Sequence, residues 1–119
     1  MGYEKANGQW ANTLALTLAA SAARTTSTAA TSIDVADRGV LCLTLDVASR
    51  SGTNPTLDVT IQTSADNSTW RTLGTFAQKT AAGSERKSFA GCDRYVRASW
   101  AIGGTSTPTF TFSVAGEGK

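Results

Sequence analysis

Alternation of apolar and polar residues is the dominant signal along most of this chain. Over residues 40–47, Leu41, Leu43, Leu45 and Val47 fall on one side and Thr44 and Asp46 on the other. That is the two-residue period of a half-buried strand. Residues 57–63 repeat it, with Leu57, Val59 and Ile61 inward and Asp58, Thr60 and Gln62 outward. Ala65-Asp66-Asn67-Ser68 has turn chemistry and residues 70–76 return as a partner strand, the clearest hairpin in the sequence. A further turn at 81–84 leads into a strand centred on Phe89. Residues 95–102 set Val96, Ala98, Trp100 and Ile102 against Tyr95, Arg97 and Ser99, and Phe110, Phe112 and Val114 share the last apolar face. The closing strand is therefore expected at the centre of the core.

Upstream the pattern is weaker. A short strand over 32–35 ends at Asp37-Arg38-Gly39, and Leu14, Leu16 and Leu18 alternate. Residues 19–24 admit either helix or strand; the Thr/Ser run that follows disfavours helix, so extended structure is expected. Residues 50–55 and Gly103-Gly104 carry Gly, Asn and Pro and read as loops. The first dozen residues are polar, with isolated Tyr3 and Trp10, and read as an arm. The prediction is an all-β chain of seven or eight short strands without helix. It forms a single antiparallel β-sandwich or jelly roll over 14–119, with an extended N-terminal arm at 1–13.

Composition narrows the class. The 119 residues allow one domain with one modest core, and 17% charged residues leave a surface dominated by neutral Thr, Ser, Ala and Gly. Eleven basic against nine acidic residues give a net charge of only +2. The nearest approach to a basic patch, Arg86, Lys87, Arg94 and Arg97, is thinner than the stripe of a nucleic-acid binder, so no direct nucleic-acid partner is expected. No apolar run has the length of a membrane span. Residues 14–23 resemble the apolar core of a signal peptide but lack its flanks, since Glu4 offsets Lys5 and Asn7, Gln9, Asn12 and Thr13 are polar. The expectation is a chain made in a cytoplasm without an export signal.

The residues offer little for catalysis. Histidine is absent, which removes Ser-His and Cys-His pairs and histidine metal sites together. Asp34, Asp37, Asp46, Asp58, Asp66, Glu85 and Asp93 could supply a carboxylate pair, yet they fall on outward strand positions, turns and strand ends. No enzyme, cofactor or metal is predicted. Asp34-Val-Ala-Asp37 lacks the ligands calcium needs, and Asn67-Ser68-Thr69 reads as turn chemistry rather than a glycosylation acceptor. Cys42, in an apolar strand, reads as a buried thiol and Cys92, beside a turn, as a partly exposed one, with a disulfide between them as the alternative. Trp10, Trp70 and Trp100 suggest a sugar-stacking platform, but Trp100 shares the core face and Trp70 opens a strand. Tyr3 and Trp10 remain as candidate partner-binding residues.

Four segments carry a resemblance: Ala20-Ser-Ala-Ala-Arg24-Thr-Thr-Ser27, Leu57-Asp-Val-Thr-Ile-Gln-Thr-Ser-Ala-Asp66, Cys92-Asp-Arg-Tyr-Val-Arg97 with Trp100, and Gly104-Thr-Ser-Thr-Pro108-Thr-Phe-Thr-Phe-Ser-Val114. In this order they resemble small virion structural proteins of tailed bacteriophages, which decorate capsids or serve at the head–tail junction. The resemblance runs from about Ala20 to the C-terminus, and its motifs are structural. Arg94-Tyr-Val-Arg97 is also similar to a scaffold strand of discoidin-like sugar- or lipid-binding sandwiches. The resemblance implies a decoration or cement protein on the capsid exterior, made in the host cytoplasm. Its partners would be the major capsid protein and neighbouring copies of itself, in a role that admits a homo-oligomer. A head–tail or tail component, or a carbohydrate-binding β-sandwich module, is the alternative.

Overall fold

The computed structural model describes residues 13–36 and 38–119. Its elements are all strands: β1 (Leu14–Arg24), β2 (Thr28–Ala29), β3 (Ile33–Asp34), β4 (Val40–Ser64), β5 (Arg71–Thr75), β6 (Gly83–Ala90) and β7 (Tyr95–Gly118). All pairings are antiparallel. The all-β expectation holds, and residues 19–24 are extended.

Two strands are far longer than their alternating cores suggested, 25 residues for β4 and 24 for β7. They pair with each other from Leu41↔Gly118 to Ser64↔Tyr95. Residues 50–55 and Gly103-Gly104, expected as loops, instead lie within this ribbon, where Ser51↔Thr109, Thr53↔Thr105 and Thr56↔Gly103 keep the two chains paired. The turn-forming residues mark a corner at which both strands bend together. Gly52, Asn54, Gly104, Ser106 and Thr107 all have positive φ there. At Gly52 a Cβ would meet Pro108 Cα at 2.8 Å, and at Gly104 one would meet Pro55 Cα at 3.0 Å. Only glycine lets the two backbones cross this closely.

The bend folds the sheet onto itself. Trp100 and Phe112 both belong to β7, twelve residues apart, which in a straight strand would separate them by about 40 Å. Their rings instead meet edge-to-face with centroids 5.3 Å apart. The first layer runs β1, the second half of β7, the first half of β4, then β6. The second layer runs β2 and β3, the first half of β7, the second half of β4, then β5. Four long segments thus cross both layers, in the spatial order first, fourth, second, third. That is the winding of a jelly roll.

Burial follows the two-residue period in both layers. Leu41, Leu43, Leu45, Phe110, Phe112 and Val114 from the first layer and Leu57, Val59, Ile61, Val96 and Ala98 from the second are all fully buried in one cluster. A second aromatic pair, Phe76–Phe89, bridges the layers on the far edge at 5.4 Å, and Gly74 leaves the space Phe89 occupies. At the end opposite the corner the layers are tied by polar groups. Gly91 N–H donates to Gly39 O, Asp93 N–H to Thr63 Oγ1, and Thr63 Oγ1–H to Tyr95 O.

Replacing Phe112 by alanine removes the ring that joins the layers, and its expected cost is about 3–5 kcal/mol. Thr111→Ser, on the outward side of the same strand, should change stability by less than about 0.5 kcal/mol. Denaturant unfolding of the two variants checks this; comparable midpoints would contradict the layer assignment.

Candidate functional site

The side chains with chemistry to offer are mostly spent on local structure. Arg94 is bonded to Asp34 Oδ2 through both Nε and Nη2, and this, with the Ala36 N–H on the same carboxylate, holds Asp34 below the usual carboxylate range. Lys79 bonds Glu85 and lowers its pKa. Arg71 spans Asp93 and the Gly91 carbonyl. Asp46 accepts from Ser84, and Asp58 from Gln78. Each of these five carboxylates therefore faces a donor of its own chain rather than another carboxylate. Among the described residues no three His, Cys, Asp or Glu are grouped to hold a metal. Asp37 lies outside the described residues, so the Asp34/Asp37 pairing is not part of this geometry.

Asp66 is the most perturbed carboxylate. It shapes the 65–70 turn by accepting from Ser68 N–H, Thr69 N–H and Ser64 Oγ–H. These donors, the Thr69 amide foremost, pull its pKa down to about 2. Asn67 adopts φ of 60° in the same turn and accepts from Ser32 Oγ–H, so Asn67-Ser68-Thr69 acts as turn chemistry.

The basic residues do not gather into one patch. Arg86 stands on the outer face of the first layer, Lys87 donates to Thr75 O, and Arg94 is paired to Asp34. Arg97 stands apart. Its Nε–H donates to Gln62 Oε1 at 2.7 Å, and its guanidinium lies 4.3 Å from the Trp70 ring centroid. Thr60 and Ser99 lie beside them in register on the outer face of the second layer. This is the richest polar and aromatic constellation on a described surface. The cleft at the corner, about 260 Å³ and lined by Arg50, Asn54, Pro55, Thr56 and Thr80, holds one charged group and no acid–base pair.

The two described tryptophans do not form a platform. Trp100 is in the core, 7% exposed, and donates to Thr26 O. Trp70 is half-buried under Arg97, and Tyr3 and Trp10 lie outside the described residues. Both cysteines are free and half-buried. Cys42, expected to be buried, sits between Leu41 and Leu43 and so points to the outer face, with Ser88 Oγ 3.9 Å from its sulfur. Cys92 donates to Arg38 O at 2.9 Å, and burial raises its pKa. The Cys92 thiol packs against the core, where its raised pKa keeps it protonated and less nucleophilic.

One structural residue escaped the sequence reading. Arg24 donates to the carbonyls of Ala20, Ala22 and Phe112, and its guanidinium lies 4.9 Å and 4.5 Å from the Trp100 and Phe112 ring centroids. It seals the irregular stretch where β1 shifts register against β7 between Ala19 and Ala22. A signal was present: Arg24 is the only charged residue between Lys5 and Asp34. A solitary cation in an otherwise uncharged run marks a side chain needed for its donors.

Two outcomes are expected. Arg24→Lys keeps the charge but loses the planar fork that serves three carbonyls and stacks on two rings, so chemical denaturation should report a loss of about 1–3 kcal/mol. Asp66 should titrate near pH 2 by carboxyl NMR, well below the ordinary 3.8. Because its folded pKa is depressed, its contribution to stability is complete above about pH 4 and disappears as pH falls through 2. A midpoint near 3.8 would mean that the turn donors are not engaged.

No protein-family model and no curated protein sequence matches this chain, so the functional reading rests on its residues and geometry.

Proposed function

We propose that this chain is a non-enzymatic structural protein of a virus particle, a capsid decoration protein that binds the major capsid protein lattice from outside the shell. The observation that carries the reading is the jelly-roll winding of four long segments, an architecture used by capsid and lectin domains. The resemblance to small phage virion proteins, from about Ala20 to the C-terminus, supports it from the sequence side. So does the distribution of chemistry, in which carboxylates and cations are bound to their own turns and edges and two broad faces are left for contact. Repeated weak contacts suffice on a lattice, where many copies bind at high effective concentration. In this reading Tyr3 and Trp10 anchor the chain on capsid or neighbouring decoration subunits, since Trp and Tyr supply large contact area for little lost freedom.

The Arg97–Trp70–Gln62 constellation favours a second reading, a carbohydrate-binding module. A guanidinium held by Gln62 and lying over the Trp70 indole places polar donors beside an aromatic ring, a pairing of groups that small-ligand sites use.

Co-sedimentation of the purified chain with capsids discriminates the two. Saturable binding is expected, with Trp10→Ala binding about thirtyfold more weakly, as for loss of a 2 kcal/mol anchor. Its melting curve should match the wild type. No capsid binding, together with glycan binding that Trp70→Ala abolishes, would transfer the assignment to the second reading.

A further inference from the structure

The two outer edges of the first layer are treated very differently. β6, at one edge, carries Glu85, Arg86 and Lys87 in succession. Consecutive charges on an edge strand oppose its pairing with another chain. β1, at the other edge, has no charge before Arg24 and contains neither proline nor glycine. It bonds to β7 along one side only, and no other described strand pairs with its outer side. Arg24 binds the Ala20 and Ala22 carbonyls together with Phe112 O of β7, and β1 shifts register against β7 between Thr17 and Ala19 and again between Ala19 and Ala22, so the regular part of the open edge begins at Leu14 and ends at Leu18.

That open stretch is complementary to itself. Leu16 and Leu18 are buried and Leu14 is half-buried against the core, while Ala15 and Thr17 are exposed on the outer face. Residues opposite each other in an antiparallel pair share a face, so two identical strands match only in registers that keep like faces together. Centring on Leu16 achieves this: Leu14 falls opposite Leu18 of a second copy, and Ala15 opposite its Thr17. The leucines then continue the core across the junction, and the outer face meets without any charge. A pairing that exchanges the same strand between both partners closes on a two-fold axis and leaves no free end to propagate.

We propose that the outer edge of β1 is a homodimer interface, joined by antiparallel pairing of Leu14 to Leu18 with the same segment of a second copy. The pairing extends the first layer into a continuous sheet through both subunits. It does not depend on the particle to which the protein binds, so its test is separate from the capsid experiment.

Sedimentation equilibrium of the full chain across a range of concentrations provides that test. The wild type should show a reversible monomer–dimer equilibrium. Ala15→Lys with Thr17→Lys sets like charges opposite each other twice across the axis and should weaken the dimer about tenfold or more, as expected for like-charged cross-strand pairs. Ala15→Lys with Thr17→Glu sets opposite charges there and should restore association to near the wild-type value. Because the charge-swapped variant carries equal polar load on the same two positions, it separates a lost interface from a damaged fold. A wild type that stays monomeric throughout would overturn the proposal. So would a double-lysine variant that dimerises as well as wild type, or a swapped variant as weak as the double lysine.

Discussion

The fold depends on one constraint, the unbroken pairing of β4 with β7 through a corner. If those strands ended at residue 50 and residue 103, the two layers would be separate sheets joined by loops, free to choose their own orientation. Because pairing persists at Ser51↔Thr109, Thr53↔Thr105 and Thr56↔Gly103, the layers have a fixed mutual register. Trp100 is delivered onto Phe112 by the same strand that carries both. The edge segments then have only one place to go on each layer, β1 to β3 along β7 and β5 to β6 along β4. The jelly-roll order follows from the ribbon.

This constraint also decides where polar chemistry settles. A sheet that folds over itself has two seams where its edges turn from one layer to the other, and backbone groups there lose ladder partners. Arg24 sits at one seam and supplies three bonds to carbonyls while its guanidinium covers two core rings. Lys79, Glu85 and Lys87 sit at the other, where Lys79 donates to Glu85 and Lys87 donates to the Thr75 carbonyl. At the closed end Thr63, fully buried, both donates and accepts. Charged residues used this way complete the hydrogen bonding of the scaffold.

Most of the fold was legible because period-two alternation survives in nearly every strand. Leu41, Leu43 and Leu45, then Leu57, Val59 and Ile61, announce their buried face without ambiguity. The corner was misread for a physical reason: Gly52, Asn54, Pro55 and Gly104 carry the same local signal whether a chain leaves a sheet or bends with its neighbour. Only the pairing of two remote segments distinguishes those cases. Cys42 was misjudged by composition, since its apolar neighbours suggested burial while its parity, shared with Thr44 and Asp46, sets it on the outer face. The Arg97–Trp70–Gln62 cluster was invisible in sequence because Trp70 and Arg97 lie 27 positions apart and meet only through the register of β4 with β7.

The corner has an energetic consequence for binding. Ser106 and Thr107 adopt positive φ in succession, and for residues with a Cβ this costs roughly 1–2 kcal/mol each. The opposing gain is of similar size from a single edge-to-face ring contact together with burial of one phenylalanine, about 0.5–1.5 and 1.5–3 kcal/mol respectively. The bend is thus held by packing in the interior and not by preference at the corner, and it stays closed only while the layers remain in contact. A scaffold of that kind presents its faces and its uncharged β1 edge in fixed positions before any partner arrives. Association then needs little further ordering of the body, and the entropy lost on binding is confined to the segments that dock. On the proposed lattice reading, in which contacts are individually small and many times repeated, such rigidity would contribute more to affinity than a deep pocket.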